Sequence, residues 1–144
     1  MQVKEIMTNN IQVVQSNTNL QEAASIMRDI NIGVLPIADG QRITGILTER
    51  DIVVRSTAKG MDPKSATVDE SASTSVAWCF EDDDIEDALQ KMENRKIRCL
   101  PVVNRSKELV GIVSLIDIPL SIVRAWRLKH SKRYRNRTGR TADR

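Results

Sequence analysis

The sequence predicts an α+β fold: two repeats, each strand-helix-strand-strand-helix, packed about a pseudo-twofold into one module with a basic C-terminal extension. Three observations carry this. First, the chain duplicates itself: residues 20–37 align without a gap on 85–102, setting Met27 on Met92, Ile32 on Ile97, and Leu35-Pro36 on Leu100-Pro101. One inserted residue later, Gly45-Ile-Leu-Thr-Glu-Arg-Asp51 falls on Gly111-Ile-Val-Ser-Leu-Ile-Asp117. Second, within each unit the apolar spacing alternates between helical and extended. Third, a unit of roughly 55 residues buries too little surface to stand alone, so the two are expected to share one core.

The elements follow in order. Residues 11–14 and 76–80 are the first strands. The first helices start after Asn19 and Asp84, whose side-chain oxygens can accept from free first-turn N–H groups. Glu22, Glu86 and Asp87 then suit the positive helix end. Leu20, Ala23, Ala24, Met27 and Ile30 recur at helical spacing, as do Ile85, Ala88, Leu89 and Met92. Residues 33–38 and 42–47 read as strands joined at Asp39-Gly40, a hairpin dipeptide, and 100–103 and 109–113 repeat them. The second helices begin near Thr48 and Ser114; the first ends before Gly60, a left-handed cap. The predicted layout is repeat 1 over 1–60, a polar connection with room for a short helical turn over 61–75, repeat 2 over 76–123, and a basic helix and tail over 124–144.

Composition narrows the function. The chain has 144 residues, 40% hydrophobic and 28% charged, as in soluble globular proteins. The aromatic residues are only Trp78, Phe80, Trp126 and Tyr134, so the core is aliphatic. No apolar run approaches the ~18 residues of a membrane span, and the polar start lacks a signal-peptide stretch, so a cytoplasmic location is expected. Cys79 and Cys99 are read as half-buried thiols, and with His130 the only histidine a zinc site is not expected. The same scarcity leaves no nucleophile–base pair, which argues against an enzyme. The acidic run 81–84 lacks the alternating spacing of a calcium loop and suits a helix N-terminus.

Charge is divided. Residues 1–123 carry 13 Lys/Arg against 18 Asp/Glu, whereas 124–144 carry nine against one. Ile118, Leu120, Ile122, Val123 and Trp126 form an apolar stripe for packing or dimerisation. From Lys129 onward the chain has almost no apolar anchors; it reads as a solvated tail, with nucleic acid or anionic lipid as the alternative partner through phosphate contacts.

The duplicated Leu-Pro-hydrophobic strand followed by Gly-hydrophobic-hydrophobic-Thr/Ser-x-x-Asp resembles a pair of CBS domains, the Bateman module, over residues 1–123. Residues 48–54 (Thr-Glu-Arg-Asp-Ile-Val-Val) and Gly60-Met-Asp-Pro63 also resemble small stand-alone bacterial CBS-pair proteins, including the hypoxic-response type. The resemblance implies a non-catalytic regulatory module that binds an adenine nucleotide (AMP, ADP or ATP) or a related adenosyl ligand such as NAD or S-adenosylmethionine in the clefts between its repeats and signals by a change of conformation. It also implies a homodimer and, downstream, a protein target.

The residues suit such a ligand. Thr48 and Asp51 share one face of a helix start, where a carboxylate can accept both ribose hydroxyls and free N–H groups can meet phosphate. Ser114 and Asp117 repeat the pair. By resemblance the adenine slot is Ile11, Ile32 and Gly33 in repeat 1, and Val76, Ile97 and Arg98 in repeat 2. Arg98 sits where family members carry a basic phosphate contact, and Arg50 is a second candidate; the plainer reading of Arg98 is a surface arginine. The plainer readings stand beside these: Thr/Ser-x-x-Asp is also a helix cap, the four aliphatic residues suit a core, and Gly33 suits close strand packing. Repeat 2 departs from the pattern. Residues 69–74 (Asp-Glu-Ser-Ala-Ser-Thr) stand where repeat 1 has 3–8 (Val-Lys-Glu-Ile-Met-Thr), and family members usually carry another Met-Thr there. Trp78 either stacks on a purine or fills the slot.

Overall fold

The computed structural model describes residues 1–130; the predicted tail over 131–144 lies outside them. Helix α1 (Leu20–Ile30) leads to strands β1 (Val34–Asp39) and β2 (Arg42–Thr48), which pair antiparallel. A helical turn, α2 (Glu49–Asp51), continues as a π-helix over Ile52–Ser56 and a 3-10 turn over Thr57–Lys59. The connection holds α3 (Val68–Ser71). The second unit is β3 (Cys79–Phe80), α4 (Ile85–Arg95), β4 (Cys99–Val103), β5 (Leu109–Ser114), a 3-10 turn Leu115–Asp117, and α5 (Leu120–Lys129). Its sheet runs β3-β4-β5, the first pair parallel and the second antiparallel. The duplication extends to irregularities: the ladder shifts register between Ile37 and Ala38 and between Val102 and Val103, the matching places.

The expected caps are made. Asn19 accepts from the Glu22 N–H at 2.8 Å and Asp84 from the Glu86 N–H at 3.0 Å. Gly40 and Gly60 have φ of +66° and +71°, the left-handed conformation that a hairpin turn and a helix end require. In the acidic run, Asp83 accepts from the Phe80 N–H at 2.9 Å and Asp82 pairs with Arg105 at 2.8 Å.

Four expectations are corrected. The first strands are short: residues 11–14 contribute a single bridge, Val14 to Ile37, and only Cys79–Phe80 of 76–80 is strand. Ala24 and Ile30 face solvent, so α1 buries Leu20, Ala23 and Met27. The second helix of repeat 2 does not begin at Ser114. Ile118 turns extended (φ −80°, ψ 129°) because the ring of Pro119 disfavours a helical residue before it, and α5 starts at Leu120.

The fourth concerns the core, which is two clusters rather than one. Each is completed by a segment from outside its own repeat. Val3, fully buried, joins Leu100 and Val113 of repeat 2 and Trp126 of α5, while Ala66, Val68 and Ala72 of the connection join Leu20, Leu35 and Leu47 of repeat 1. Backbone bonds fix the exchange. The Val3 N–H donates to Asp83 O and the Ile85 N–H to Met1 O, both at 2.9 Å; the Val68 N–H donates to Thr18 O at 2.8 Å and the Leu20 N–H to Ala66 O at 2.9 Å. Thr8 pairs with Ile112 and Ser73 with Ile46, so the entry segments correspond as Val3 to Val68 and Thr8 to Ser73, one residue from the sequence alignment. Gly111 and Gly45 admit the crossings. A Cβ on Gly111 would lie 2.9 Å from Thr8 O, and one on Gly45 3.1 Å from Ser73 O.

Candidate functional site

β2 ends at Thr48, whose extended backbone (φ −112°, ψ 159°) makes it the N-cap of α2. The Asp51 N–H donates to Thr48 Oγ1 at 3.1 Å, and the Thr48 N–H donates to Asp51 Oδ2 at 3.0 Å. This reciprocal capping box satisfies two backbone donors at the helix start. The Glu49 N–H donates to Gly33 O at 2.9 Å, which ties the entrance of β1 to the same turn. A Cβ on Gly33 would sit 2.8 Å from the Glu49 carboxyl carbon, so the glycine leaves room for that side chain. Gly33, Thr48 and Asp51 are thereby brought together.

Asp51 is 16% exposed, with Oδ1 3.9 Å from Arg55 Nε. A carboxylate has about four acceptor sites; the box uses one of them, and Arg55 is too far for a hydrogen bond. Acceptor capacity for two hydroxyls therefore remains beside a cation. Ile11 is half-buried and Ile32 is 40% exposed, so Ile32 is not the core residue its apolar character suggests. It follows Asn31, which ends α1 in the left-handed conformation (φ 56°). Arg50 is exposed and forms no ion pair among the described residues.

Repeat 2 keeps the backbone stitch and loses the box. The Leu115 N–H donates to Arg98 O at 2.7 Å, the counterpart of Glu49 on Gly33. Ser114 makes no capping bond, and Asp117 is exposed on the 3-10 turn. Arg98 is exposed; Val76 and Ile97 are half-buried, Ile97 against the repeat 2 core. Trp78 stands edge-on to Phe80 (centroids 4.9 Å apart), with Lys91 Nζ 5.6 Å from its ring and bonded to its carbonyl at 2.8 Å.

The sequence reading missed Glu49, which fills the space at Gly33, and Arg55, which faces Asp51. The i,i+4 spacing of Asp51 and Arg55 is the signal that finds the second. Among the described residues no group of His, Cys, Asp and Glu could hold a metal ion. Cys79 is fully buried rather than half-buried; burial pushes its thiol up to about 12 and that of half-buried Cys99 upward too, and both are free. No helix among the described residues is long and apolar enough to cross a membrane.

Paired β-α-β-β units that exchange entry segments, each with a stitched turn after its last strand, define a tandem-repeat module. The chain belongs to the CBS domain family, whose model matches residues 3–57 and 61–122. It is 40% identical over 119 residues to the CBS domain-containing protein YhcV of Bacillus subtilis, covering 83% of this chain and 84% of that one. It is 39% identical over 116 residues to Hypoxic response protein 1 of Mycobacterium tuberculosis, covering 80% of each. Its fold matches the CBS domain pair of protein MJ0100, solved in complex with 5′-methylthioadenosine and S-adenosyl-L-methionine, with a TM-score of 0.74. That match is 31% identical and covers 81% of this chain and 95% of that one. The homoserine O-acetyltransferase of Methanosalsum zhilinae also matches, at 32% identity, but over only 23% of its own length.

Proposed function

We propose that this protein is a non-catalytic sensor that binds an adenosyl ligand in the clefts between its repeats and signals by a change of conformation. The observation that carries the reading is the Thr48–Asp51 box stitched to Gly33, with Asp51 half-buried and acceptor capacity left on its carboxylate. In this reading Asp51 accepts the ribose hydroxyls and Thr48 assists. The purine face lies on Ile11 and on Ile32, whose exposure at the end of α1 suits a side chain that waits for a ligand. Arg50 meets the phosphates of AMP, ADP, ATP or NAD. S-Adenosylmethionine fits the same ribose contacts, and the ligands of the MJ0100 pair support the adenosyl class. Repeat 2 offers Val76, Trp78, Ile97, Arg98, Ser114 and Asp117, and without a capping box to hold Ser114 and Asp117 it binds more weakly.

The partner is a second copy of the chain, through Val53, Ile116 and Leu120, which are exposed, whereas Val123 and Ile52, apolar helix residues that also suit such a face, pack into the two cores; beyond it stands a protein that reads the ligand state. Isothermal titration tests the site. Asp51→Ala removes two charge-assisted hydrogen bonds worth roughly 1.5–3 kcal/mol each, so affinity for AMP falls at least about tenfold. Wild type discriminates against the 2′,3′-dideoxy nucleotide and the variant loses most of that discrimination. Equal discrimination in both proteins refutes the assignment.

A further inference from the structure

A cavity of about 250 Å³ opens between α4 and α5, away from the Thr48–Asp51 turn. Its floor is apolar: Met92, Val123 and Trp126 line it and are almost fully buried in the repeat 2 core. Its rim is cationic, since Lys96, Arg98 and Arg127 line it against a single carboxylate, Glu93. All three cations are exposed, and none forms an ion pair among the described residues. Lys96 and Arg98 come from the stretch 1–123, which is acidic overall, and Arg127 from the basic stretch that follows it, so the two meet in a local excess of positive charge at an apolar opening.

We infer that this cavity binds a small amphipathic carboxylate, its apolar chain on Met92, Val123 and Trp126 and its head group among Lys96, Arg98 and Arg127. Size and chemistry agree. The volume lies just below the range of drug-sized pockets, which fits a ligand of about ten heavy atoms. A guanidinium matches a carboxylate in a planar fork, whereas a neutral head group would leave three cations unmatched. The site overlaps only part of the adenosyl reading, whose repeat 2 residues Val76, Trp78, Ser114 and Asp117 do not line it. It shares Ile97 and Arg98 with that reading, and Arg98 is tied to Leu115 of the cavity wall by a 2.7 Å backbone bond.

Octanoate, 1-octanol and octyltrimethylammonium serve as probes of equal chain length and different charge. The chain has two tryptophans, so Trp78→Phe leaves Trp126 as the sole reporter on the cavity floor. Octanoate should shift the emission of Trp126 saturably and bind at least about tenfold more tightly than octanol in calorimetry, with no binding of the cation. Lys96→Gln with Arg127→Gln, which spares Arg98, should lower octanoate affinity about tenfold and leave octanol unchanged. Val123→Phe should fill the floor and weaken both; should it fail to fold, the charge variants decide alone. Equal affinity for octanoate and octanol overturns the inference. So does a Trp126 that no probe perturbs, the result expected if a second copy of the chain covers the groove.

Discussion

The exchanged entry segments make a graded prediction about three glycines. In Gly111→Ala the new methyl would meet Met7 Sδ at 2.8 Å and the Thr8 carbonyl oxygen at 2.9 Å. Backbone cannot swing aside, so residues 7–8 must lift from β5. The lift breaks two bonds, Thr8 N–H to Ile112 O at 2.9 Å and Ile112 N–H to Thr8 O at 3.1 Å. Each contributes about 0.5–1.5 kcal/mol, and Ala returns about 0.4–1 kcal/mol by restricting the unfolded chain. The net loss is roughly 1–2 kcal/mol. In Gly45→Ala the nearest atom is Ser73 O at 3.1 Å, a few tenths of an ångström from comfort, and the loss is about half as large. Gly33→Ala has an equally short contact, 2.8 Å, but with the end of the Glu49 side chain, which can rotate into solvent. Its cost should be near zero. Urea unfolding of the three variants, compared at constant m-value, measures the series. The reasoning fails if Gly33→Ala destabilises as much as Gly111→Ala, for then contact distance rather than the nature of the contacted atom sets the cost.

The capping box predicts that Thr48→Ala lowers stability by about 1 kcal/mol whereas Ser114→Ala, which removes no capping bond, changes it by under about 0.5 kcal/mol; thermal melts compare the two. Cys79 predicts an alkaline effect. Its thiol titrates near 12 when folded and near 9.0 when unfolded, so above pH 9 the unfolded chain binds fewer protons than the folded one. Stability is then full below pH 9 and falls by up to about 1.4 kcal/mol per unit as the pH rises toward 12. Cys79→Ala should flatten that limb in urea titrations, and an unchanged slope would assign it to other groups. Light scattering at tens of micromolar should return a dimer mass that Ile116→Glu with Leu120→Glu reduces to monomer; a wild-type monomer would refute the proposed assembly.

What the sequence made legible was local chemistry. Asn19, Asp84, Gly40 and Gly60 act through their own few residues, and each sits in the conformation its side chain implies. Thr48 and Asp51 were legible as a pair for the same reason, and the ambiguity between cap and ligand site reflects one geometry that serves both. The exchange of entry segments was not legible, because the short apolar sets around Val3 and Val68 can reveal burial but not which repeat they are buried against. Nor was the exposure of Ile32, since hydrophobicity alone cannot tell a core position from one at the mouth of a cleft. The π-helix over Ile52–Ser56 lacks a sequence signature altogether, whereas Pro119 carried its own notice of the break before α5.

The crossed segments also set an order of events on the ribosome. The repeat 1 cluster draws only on residues between Val14 and Ala72, a contiguous stretch that can collapse once the connection has emerged. The repeat 2 cluster needs Val3 and Trp126 together, so it closes only when the far end of the module is made. Until then the earliest residues wait unclaimed, and the finished first half is threaded between the two ends that must meet. Closing so long a loop is slow relative to local contacts, which makes the joining of the two ends of the module the last step of maturation and gives its early residues the longest exposure to chaperones and proteases.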